Sequence, residues 1–256
     1  QSLRASSIST LQVCHAMLAG MPAATSPDRA TSPLARTVLD RLVDVFVAAA
    51  DPEKAAVMRA YMRDQFPFLG IQSPQQRALA REVLAGLPRP AEADLQAIAL
   101  GAWRLPEREY QYFACGLLRR HAKLCSPAFI TTAEHLIVTK SWWDTVDSLA
   151  AHLVGTLVRQ HPSLVSTMDA WIESENIWLV RTALLHQLMS GEATDADRLF
   201  RYCSRRAEHK EFFVRKAIGW ALRQYAKTDA DAVRSFVRSH ESRLSPLSVR
   251  EALKNI

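Results

Sequence analysis

A carboxylate and an indole stand four residues apart in the segment KSWWDTVDS, residues 140–148. On a helix, Trp143 and Asp147 therefore lie on one face. An ionised carboxylate beside an aromatic ring stabilises a bound cation, because both groups attract positive charge. A structural interpretation is also open, in which Asp147 ties adjacent repeats to an arginine and the tandem tryptophans fill a core. The spacing alone does not choose between the two.

A second stretch, residues 198–227, concentrates positive charge. It contains nine basic side chains, opposed by only two glutamates. Within it, Trp220, Arg223 and Lys227 are separated by three and four residues and share a helical face. Lysine and arginine on such a face bind phosphates and displace condensed counterions. The stretch indicates a surface that follows a nucleic-acid backbone, or else a solvated basic helix with Trp220 in the core.

An internal repeat orders these groups along the chain. WLVRTAL at residues 178–184 is echoed by FFVRKAI at 212–218 and by LSVREAL at 247–253, so that the arginines are 34 and 35 residues apart. This spacing suits a two-helix unit and resembles HEAT-like repeats, in which stacked helix pairs form a solenoid with a concave surface. Equivalent positions then form a column on that surface, cationic with one carboxylate in the middle. The column consists of Arg108, Asp147, Arg181, Arg215 and Arg250.

The composition agrees with a helical protein. Of 256 residues, 48% are hydrophobic, 23% are charged and only 8 are glycine, and no segment alternates with period two over a useful length. Residues 1–33 are rich in Ser, Ala, Thr and Pro without a sustained period, so we predict a flexible tail there. Residues 34–256 carry apolar residues at helical spacing. We therefore predict an all-α fold, a right-handed superhelical solenoid of HEAT-like helix pairs.

Charge and cysteine usage limit the function classes. The formal net charge of +6 favours a polyanionic partner. The four cysteines lack CxxC spacing and the eight histidines form no cluster, so we expect no structural metal and a reducing cytosol. No apolar run approaches the ~20 residues of a membrane-spanning helix, so no membrane association is expected.

Three strings in this chain together resemble the DNA alkylation repair family, and within it the AlkD-type glycosylases. They are KSWWDTVDS at 140–148, NIWLVR at 176–181 and FFVRKAIGWALRQYAK at 212–227. Further matches (DPEKAAVMRAYMRDQFPFLGIQSP, LPEREYQYFA and LSPLSVREALKNI) extend the resemblance from about Leu34 to Ile256. One departure is Thr145, where the family usually has serine, although the hydroxyl is retained.

The resemblance implies roles for individual residues. Asp147 is the catalytic carboxylate, Trp143 and Trp220 cradle the lesion nucleotide, and Arg181 grips the DNA backbone nearby. We expect neighbouring cations to hold Asp147 ionised. The remaining expected DNA contacts are Arg223, Lys227, Tyr61 and Gln72, to which the repeat adds Arg215.

These roles imply a monofunctional DNA glycosylase of base excision repair that excises cationic N3- or N7-alkylated purines from duplex DNA. Bond cleavage leaves an oxocarbenium-like sugar, which an aspartate stabilises while it orients the attacking water. No lysine between Trp143 and Asp147 is present to form a Schiff base, so no lyase step is expected. The resemblance also implies contact from the backbone side, without flipping of the base into a pocket.

We expect a cytoplasmic, nucleoid-associated monomer that needs no cofactor, no metal and no obligate protein partner. Two other functions are compatible with a helical solenoid. A non-catalytic solenoid would bind damaged or branched DNA, although Asp147 together with both tryptophans argues against it. A protein-binding adaptor would present an apolar or acidic groove instead of an arginine column.

Overall fold

The computed structural model describes residues 32–256, and these residues form helices and connecting turns without a β-strand. The all-helical prediction is confirmed for this part of the chain. Ser32 caps the first helix and Pro33 begins it, one residue before the predicted boundary. The rest of the predicted tail, residues 1–31, lies outside the described residues.

The helices follow one another with short connections. In chain order they are α1 (Pro33–Ala48), α2 (Pro52–Tyr61), α3 (Ser73–Leu84), α4 (Glu92–Arg104), α5 (Arg108–His121), α6 (Phe129–Val138), α7 (Trp143–Ser148), α8 (Gly155–Gln160), α9 (Val165–Ile172), α10 (Ile177–Leu185), α11 (Ala196–Arg205), α12 (Phe212–Tyr225), α13 (Ala230–Ser239) and α14 (Pro246–Ala252). A π-helix, Leu149–Val154, joins α7 to α8. Short 3₁₀ turns cover Ala122–Leu124, Pro162–Leu164 and Gly191–Ala193.

Short polar side chains determine where many of these helices begin. Ser32, Asp51, Asn176, Asp195 and Asp229 each accept a hydrogen bond from a backbone amide of the first turn. Such N-caps satisfy amides that have no partner within the helix. Proline follows the cap in α1, α2 and α14, where its missing amide costs no hydrogen bond. The prolines between the apolar stretches therefore often mark helix starts.

The helices pack as two rows. The front row consists of α5, α7 with the π-helix, α10, α12 and α14, and each member packs against the next. The back row consists of α4, α6, α9, α11 and α13, each of which packs against a helix or the π-helix of the front row. The predicted stack of helix pairs is therefore present, and the front row carries the segments that sequence analysis singled out.

The predicted column of charged residues follows the front row, but two of its arginines, Arg108 and Arg181, are buried and do not add cations to an exposed face. Arg181, Arg215 and Arg250 lie on α10, α12 and α14, which pack in succession. Arg108, on α5, is completely buried, so the prediction that it adds a cation to an exposed face is wrong. Its guanidinium is neutralised inside the protein by Asp144, because a buried charge needs a partner.

Gly155 marks a close approach between α8 and the end of α10. A Cβ atom at this position would lie 2.2 Å from the carbonyl oxygen of His186, which caps α10. Because the obstacle is backbone, it cannot rotate away as the end of a flexible side chain would. The absence of a side chain at Gly155 therefore lets the helical segment that follows the π-helix pass close to α10.

Replacing Gly155 with alanine is expected to lower the free energy of unfolding by about 1–3 kcal/mol, the usual cost of overpacking. Gly116→Ala is the matched control, since nothing lies within 4 Å of a Cβ added to this α5 glycine. Alanine is the better helix former by roughly 0.5–1 kcal/mol, so the control should gain stability. Urea denaturation measures both changes, and equal stability of the two variants would contradict the close contact.

Candidate active site and nucleic-acid interface

Asp147 lies near the end of α7 and is held by Arg181 of α10. Nε of Arg181 lies 2.7 Å from Oδ1 of Asp147, and Nη2 lies 2.8 Å from Oδ2. The remaining Nη1 donates to the carbonyl oxygen of Phe213 at 2.5 Å. Arg181 is only 3% exposed, whereas the Asp147 side chain keeps 15% of its surface open. Arg181 therefore fixes the carboxylate and leaves part of it accessible.

A second ion pair, three residues earlier on α7, is closed to solvent. Asp144 accepts hydrogen bonds from Nε and Nη2 of Arg108 at 2.9 and 2.6 Å, and from the Tyr112 hydroxyl at 2.6 Å. Arg108 also donates to the hydroxyl of Thr145 at 2.9 Å, so the hydroxyl at this position has a structural partner. The side chains of Arg108 and Asp144 are 0% and 6% exposed. Asp144 thus links α7 to α5, as Asp147 links α7 to α10, so both aspartates connect neighbouring helices of the front row.

An open cleft of about 220 Å³ lies beside Asp147. Its walls come from α7 and the π-helix, from the turn after α10, and from α12. Trp220 and Gln224 stand one helical turn apart on α12 and contribute one wall. The lining residues are Asp147, Ser148, Ala151, His152, Leu188, Met189, Trp220 and Gln224. Asp147 and Trp220, distant in sequence, therefore line one cleft.

The two adjacent tryptophans of α7 have different surroundings. Trp143 lies outside the cleft lining, with its ring edge-on to Tyr61 and the ring centroids 6.4 Å apart. Tyr61 is largely exposed at the end of α2. Trp142 instead packs against Trp178 and Phe213, at centroid distances of 5.9 and 5.1 Å. Trp142 therefore belongs to a half-buried aromatic cluster outside the hydrophobic core, while Trp143 lies next to the exposed ring of Tyr61.

Burial changes the acid–base behaviour of Asp147. It raises the pKa of the Asp147 carboxyl above the ordinary value of 3.8, because the charged form loses water. The hydrogen bonds and charge of Arg181 lower the pKa but do not outweigh burial. The sequence expectation considered only the attraction of nearby cations, which lowers the pKa of Asp147, and did not include the effect of burial, which raises it.

The basic residues predicted to bind phosphates differ in their solvent exposure and in whether an acidic side chain already pairs with them. Lys227 is exposed, and its ammonium contacts the side-chain oxygen of Gln224 at 2.9 Å. Arg223 is paired with Glu251, with Nη1 2.5 Å from Oε2. Arg215 is half-buried, and its Nε has no hydrogen-bond partner among the described residues. Glu251 lies outside the basic stretch, but it occupies the repeat position of Lys216, 35 residues earlier, and that spacing is the sequence signal for this pair.

Arg181 and Gln72 were also predicted to contact DNA. Three nitrogens of Arg181 already donate within the protein, so its backbone contact stays a prediction. Gln72 is exposed at the start of α3, and its side chain makes no capping bond. The backbone before it is held by Glu109, which accepts from the amides of residues 69–71 at 2.8–3.1 Å. Glu109 is buried and orders this loop, and its sequence context gave no signal for that role.

Lys140 opens the segment that contains Asp147. Its Nζ donates to the carbonyl oxygen of Leu105 at 2.5 Å, and the side chain is half-buried. Burial lowers the pKa of Lys140, and the charge of Arg108 adds to this effect. The lysine nearest the motif is therefore engaged with the backbone and lies outside the cleft lining.

Residues 32–256 contain no group of three His, Cys, Asp or Glu side chains that could hold a metal ion. Cys115, Cys125 and Cys203 are buried free thiols, while Cys14 lies outside the described residues. None of the described helices is both long and apolar enough to cross a bilayer.

Fold and site together define an all-helical protein of stacked helix pairs, with a carboxylate and an indole in an open cleft. The family model for DNA alkylation repair enzymes matches residues 42–256. The chain therefore belongs to the DNA alkylation repair enzyme family. This membership supports a role in the repair of alkylated DNA.

Two solved structures are similar to this chain. A predicted DNA alkylation repair enzyme from Enterococcus faecalis shares 35% identity with a TM-score of 0.74, over 81% of this chain and 96% of that one. A protein from Streptococcus mutans shares 16% identity with a TM-score of 0.55, over 69% of this chain and 90% of that one, and shows the fold alone. No curated protein matches the chain.

Proposed function

We propose that the protein is a monofunctional DNA glycosylase that hydrolyses the N-glycosidic bond of cationic N3- or N7-alkylated purines in duplex DNA. The observation that carries the proposal is the partly open carboxylate of Asp147, fixed by Arg181 in a cleft that Trp220 also lines. Family membership points to alkylated DNA as the substrate. The basic residues of α12 suit its phosphates.

The proposed reaction needs little acid catalysis, because the alkylated purine already carries a positive charge. When the bond between C1′ and the purine nitrogen breaks, its electron pair goes to the base, which leaves neutral. The sugar becomes an oxocarbenium-like cation, which Asp147 stabilises. Asp147 also orients the water that adds to C1′ and takes up its proton. The indoles of Trp143 and Trp220 attract positive charge, at about 0.5–2 kcal/mol for each contact.

The open form of the cleft suits recognition without enclosure of the base. The cleft, about 220 Å³ in volume, is open to solvent and has Asp147 and Trp220 in its lining. It has room for several water molecules at ~30 Å³ each. Lys140 is bound to a backbone carbonyl, which supports hydrolysis by water over a Schiff-base route.

A non-catalytic solenoid that binds damaged DNA is the second candidate. The bidentate pair of Arg181 with Asp147 favours it, because the pair of Arg108 with Asp144 has the same geometry and a purely structural setting. The two pairs differ in the solvent exposure of the aspartate side chain, which is 15% for Asp147 and 6% for Asp144. Purified protein should therefore release 7-methylguanine from methylated duplex DNA faster than spontaneous loss, and leave abasic sites without strand cleavage. Binding of this DNA without release would favour the second candidate.

The raised pKa of Asp147 predicts the acid limb of the activity. The proposed role requires the ionised carboxylate, so the excision rate should fall as pH decreases through that pKa. The inflection should lie above 3.8, the ordinary value for aspartate. Single-turnover release of 7-methylguanine, corrected for spontaneous loss at each pH, measures this profile. An inflection at or below 3.8, or an unchanged inflection in Asp147→Asn, would contradict the assignment.

A further inference from the structure

Two cations of α12 share one buried carboxylate. Nζ of Lys216 lies 2.6 Å from Oε1 of Glu251, and Nη1 of Arg223 lies 2.5 Å from Oε2. Lys216 and Arg223 are seven residues apart, so they project from the same side of α12 two turns apart. Glu251 is only 8% exposed, while the side chains of Lys216 and Arg223 keep 37% and 22% of their surfaces open. Both cations therefore reach solvent with an anion already bound between them.

Backbone packing fixes Glu251 in this position. Gly219 lies between the two cations along α12, and a Cβ atom added there would come within 2.5 Å of the Cβ of Glu251 and 2.8 Å of the carbonyl oxygen of Ser248. The glycine lets α14 approach α12 closely. The close packing of the two helices thus places the Cβ of Glu251 directly beside α12, between Lys216 and Arg223 along the helix. Hydrogen bonds from Lys216 and Arg223 lower the pKa of Glu251, so it stays ionised at neutral pH.

The site also adjoins the candidate active site. Trp220, which lines the cleft with Asp147, directly follows Gly219 in the chain. A carboxylate that bridges an arginine and a lysine through its two oxygens presents the same chemistry as the two free oxygens of a DNA phosphate. A phosphate at this position would have to displace Glu251 from both cations.

We propose that Lys216 and Arg223 form a phosphate site that Glu251 occupies in the free protein, so that Glu251 restrains the affinity for undamaged duplex DNA. This inference rests on the proposed function, because it assumes that the protein binds duplex DNA. A low affinity for undamaged DNA favours the search for lesions, because fewer protein molecules stay bound at sites that carry no lesion. The opposite possibility, that Glu251 merely orients the two cations for DNA, predicts weaker binding when the carboxylate is removed.

The test compares Glu251→Gln with Glu173→Gln in the full chain. Both variants remove one negative charge, but Glu173 pairs with Arg205 on the back row, at 2.6 Å. Binding to an undamaged duplex oligonucleotide is measured by fluorescence anisotropy between 50 and 200 mM salt. Glu251→Gln should bind about threefold to tenfold more tightly, with a salt slope steeper by about 0.9 for each additional phosphate contacted. Glu173→Gln should stay within about twofold of the parent protein, as expected for a charge away from the phosphates.

A change in Glu251→Gln that equals the control, or weaker binding, would overturn the proposal. Glu251→Asp serves as the second variant if Glu251→Gln does not fold, because the side chain that is shorter by one methylene keeps the charge and weakens the contact with both cations. Its affinity should lie above that of the parent protein, and equal or lower affinity would also overturn the proposal. Because the DNA is undamaged, failure here leaves excision of 7-methylguanine untouched. Failure of excision, in turn, leaves the effect of Glu251 on binding measurable.

Discussion

Asp147→Asn is expected to slow excision of 7-methylguanine by about 10²–10³, the usual cost of removing one preorganised electrostatic partner. The substitution keeps the shape of the side chain and removes the charge that faces the sugar cation. Single-turnover release from methylated duplex DNA measures the rate, after subtraction of spontaneous loss. Binding to duplex DNA should change little, because the carboxylate acts on the reacting sugar and not on the phosphates.

The structure adds a stability effect to this prediction. Arg181 donates two hydrogen bonds to Asp147 and is almost fully buried. An amide at position 147 leaves the buried guanidinium of Arg181 without its counter-charge, so a loss of about 3–5 kcal/mol in unfolding free energy is expected as well. The rate must therefore be expressed per folded molecule, with circular dichroism giving the folded fraction. Undiminished excision by the folded fraction would remove Asp147 from the catalytic role.

Asp144→Asn should have the complementary result, with a large loss of stability and little loss of excision per folded molecule. Arg108 is completely buried and directs Nε and Nη2 at Asp144. Removing one partner of a buried ion pair typically costs about 3–5 kcal/mol. For a domain of this size each kcal/mol lowers Tm by roughly 2–4 °C, so a decrease of about 6–20 °C is expected.

Thermal and urea unfolding measure this loss, and the same single-turnover assay measures excision. The two variants make the same chemical change on one short helix, three residues apart, in equivalent ion pairs. They differ in that Asp147 lines the cleft and Asp144 does not. If Asp144→Asn slowed excision per folded molecule as much as Asp147→Asn, openness to the cleft could not be the reason for the effect.

The repeat was readable in the sequence because its physical cause is local. Each unit needs an apolar position, an arginine and a small residue at fixed spacing, so that consecutive helices can pack and be linked. The spacing of Asp147 and Arg181 by 34 residues predicted neighbouring repeats, and the two side chains are in direct contact. The repeat did not predict that Arg108 and Arg181 are both buried, because a charged residue at a repeat position can face either the interior or solvent.

The sequence did not predict which acidic residues pair with the basic residues of α12. Glu251 lies 28 residues from Arg223, and only the packing of α14 on Gly219 brings its carboxylate to α12. Glu109 similarly meets the amides of residues 69–71 across some 40 residues of chain. Glu251 does occupy the repeat position of Lys216, 35 residues earlier. Its contact with Arg223, and that of Glu109 with residues 69–71, join positions that the repeat does not relate.

The sequence by itself determined the helical class, the two-helix repeat and the identity of the residues able to stabilise a cation or bind phosphate. These follow from side-chain chemistry and helical spacing, which any stretch of chain carries within itself. Tertiary structure alone decided which of two similar aspartates is sealed and which is open, and which basic residues are already neutralised. Burial and pairing depend on what distant helices bring to a position. For that reason Asp144 and Asp147, alike in the sequence, have different surroundings in the fold.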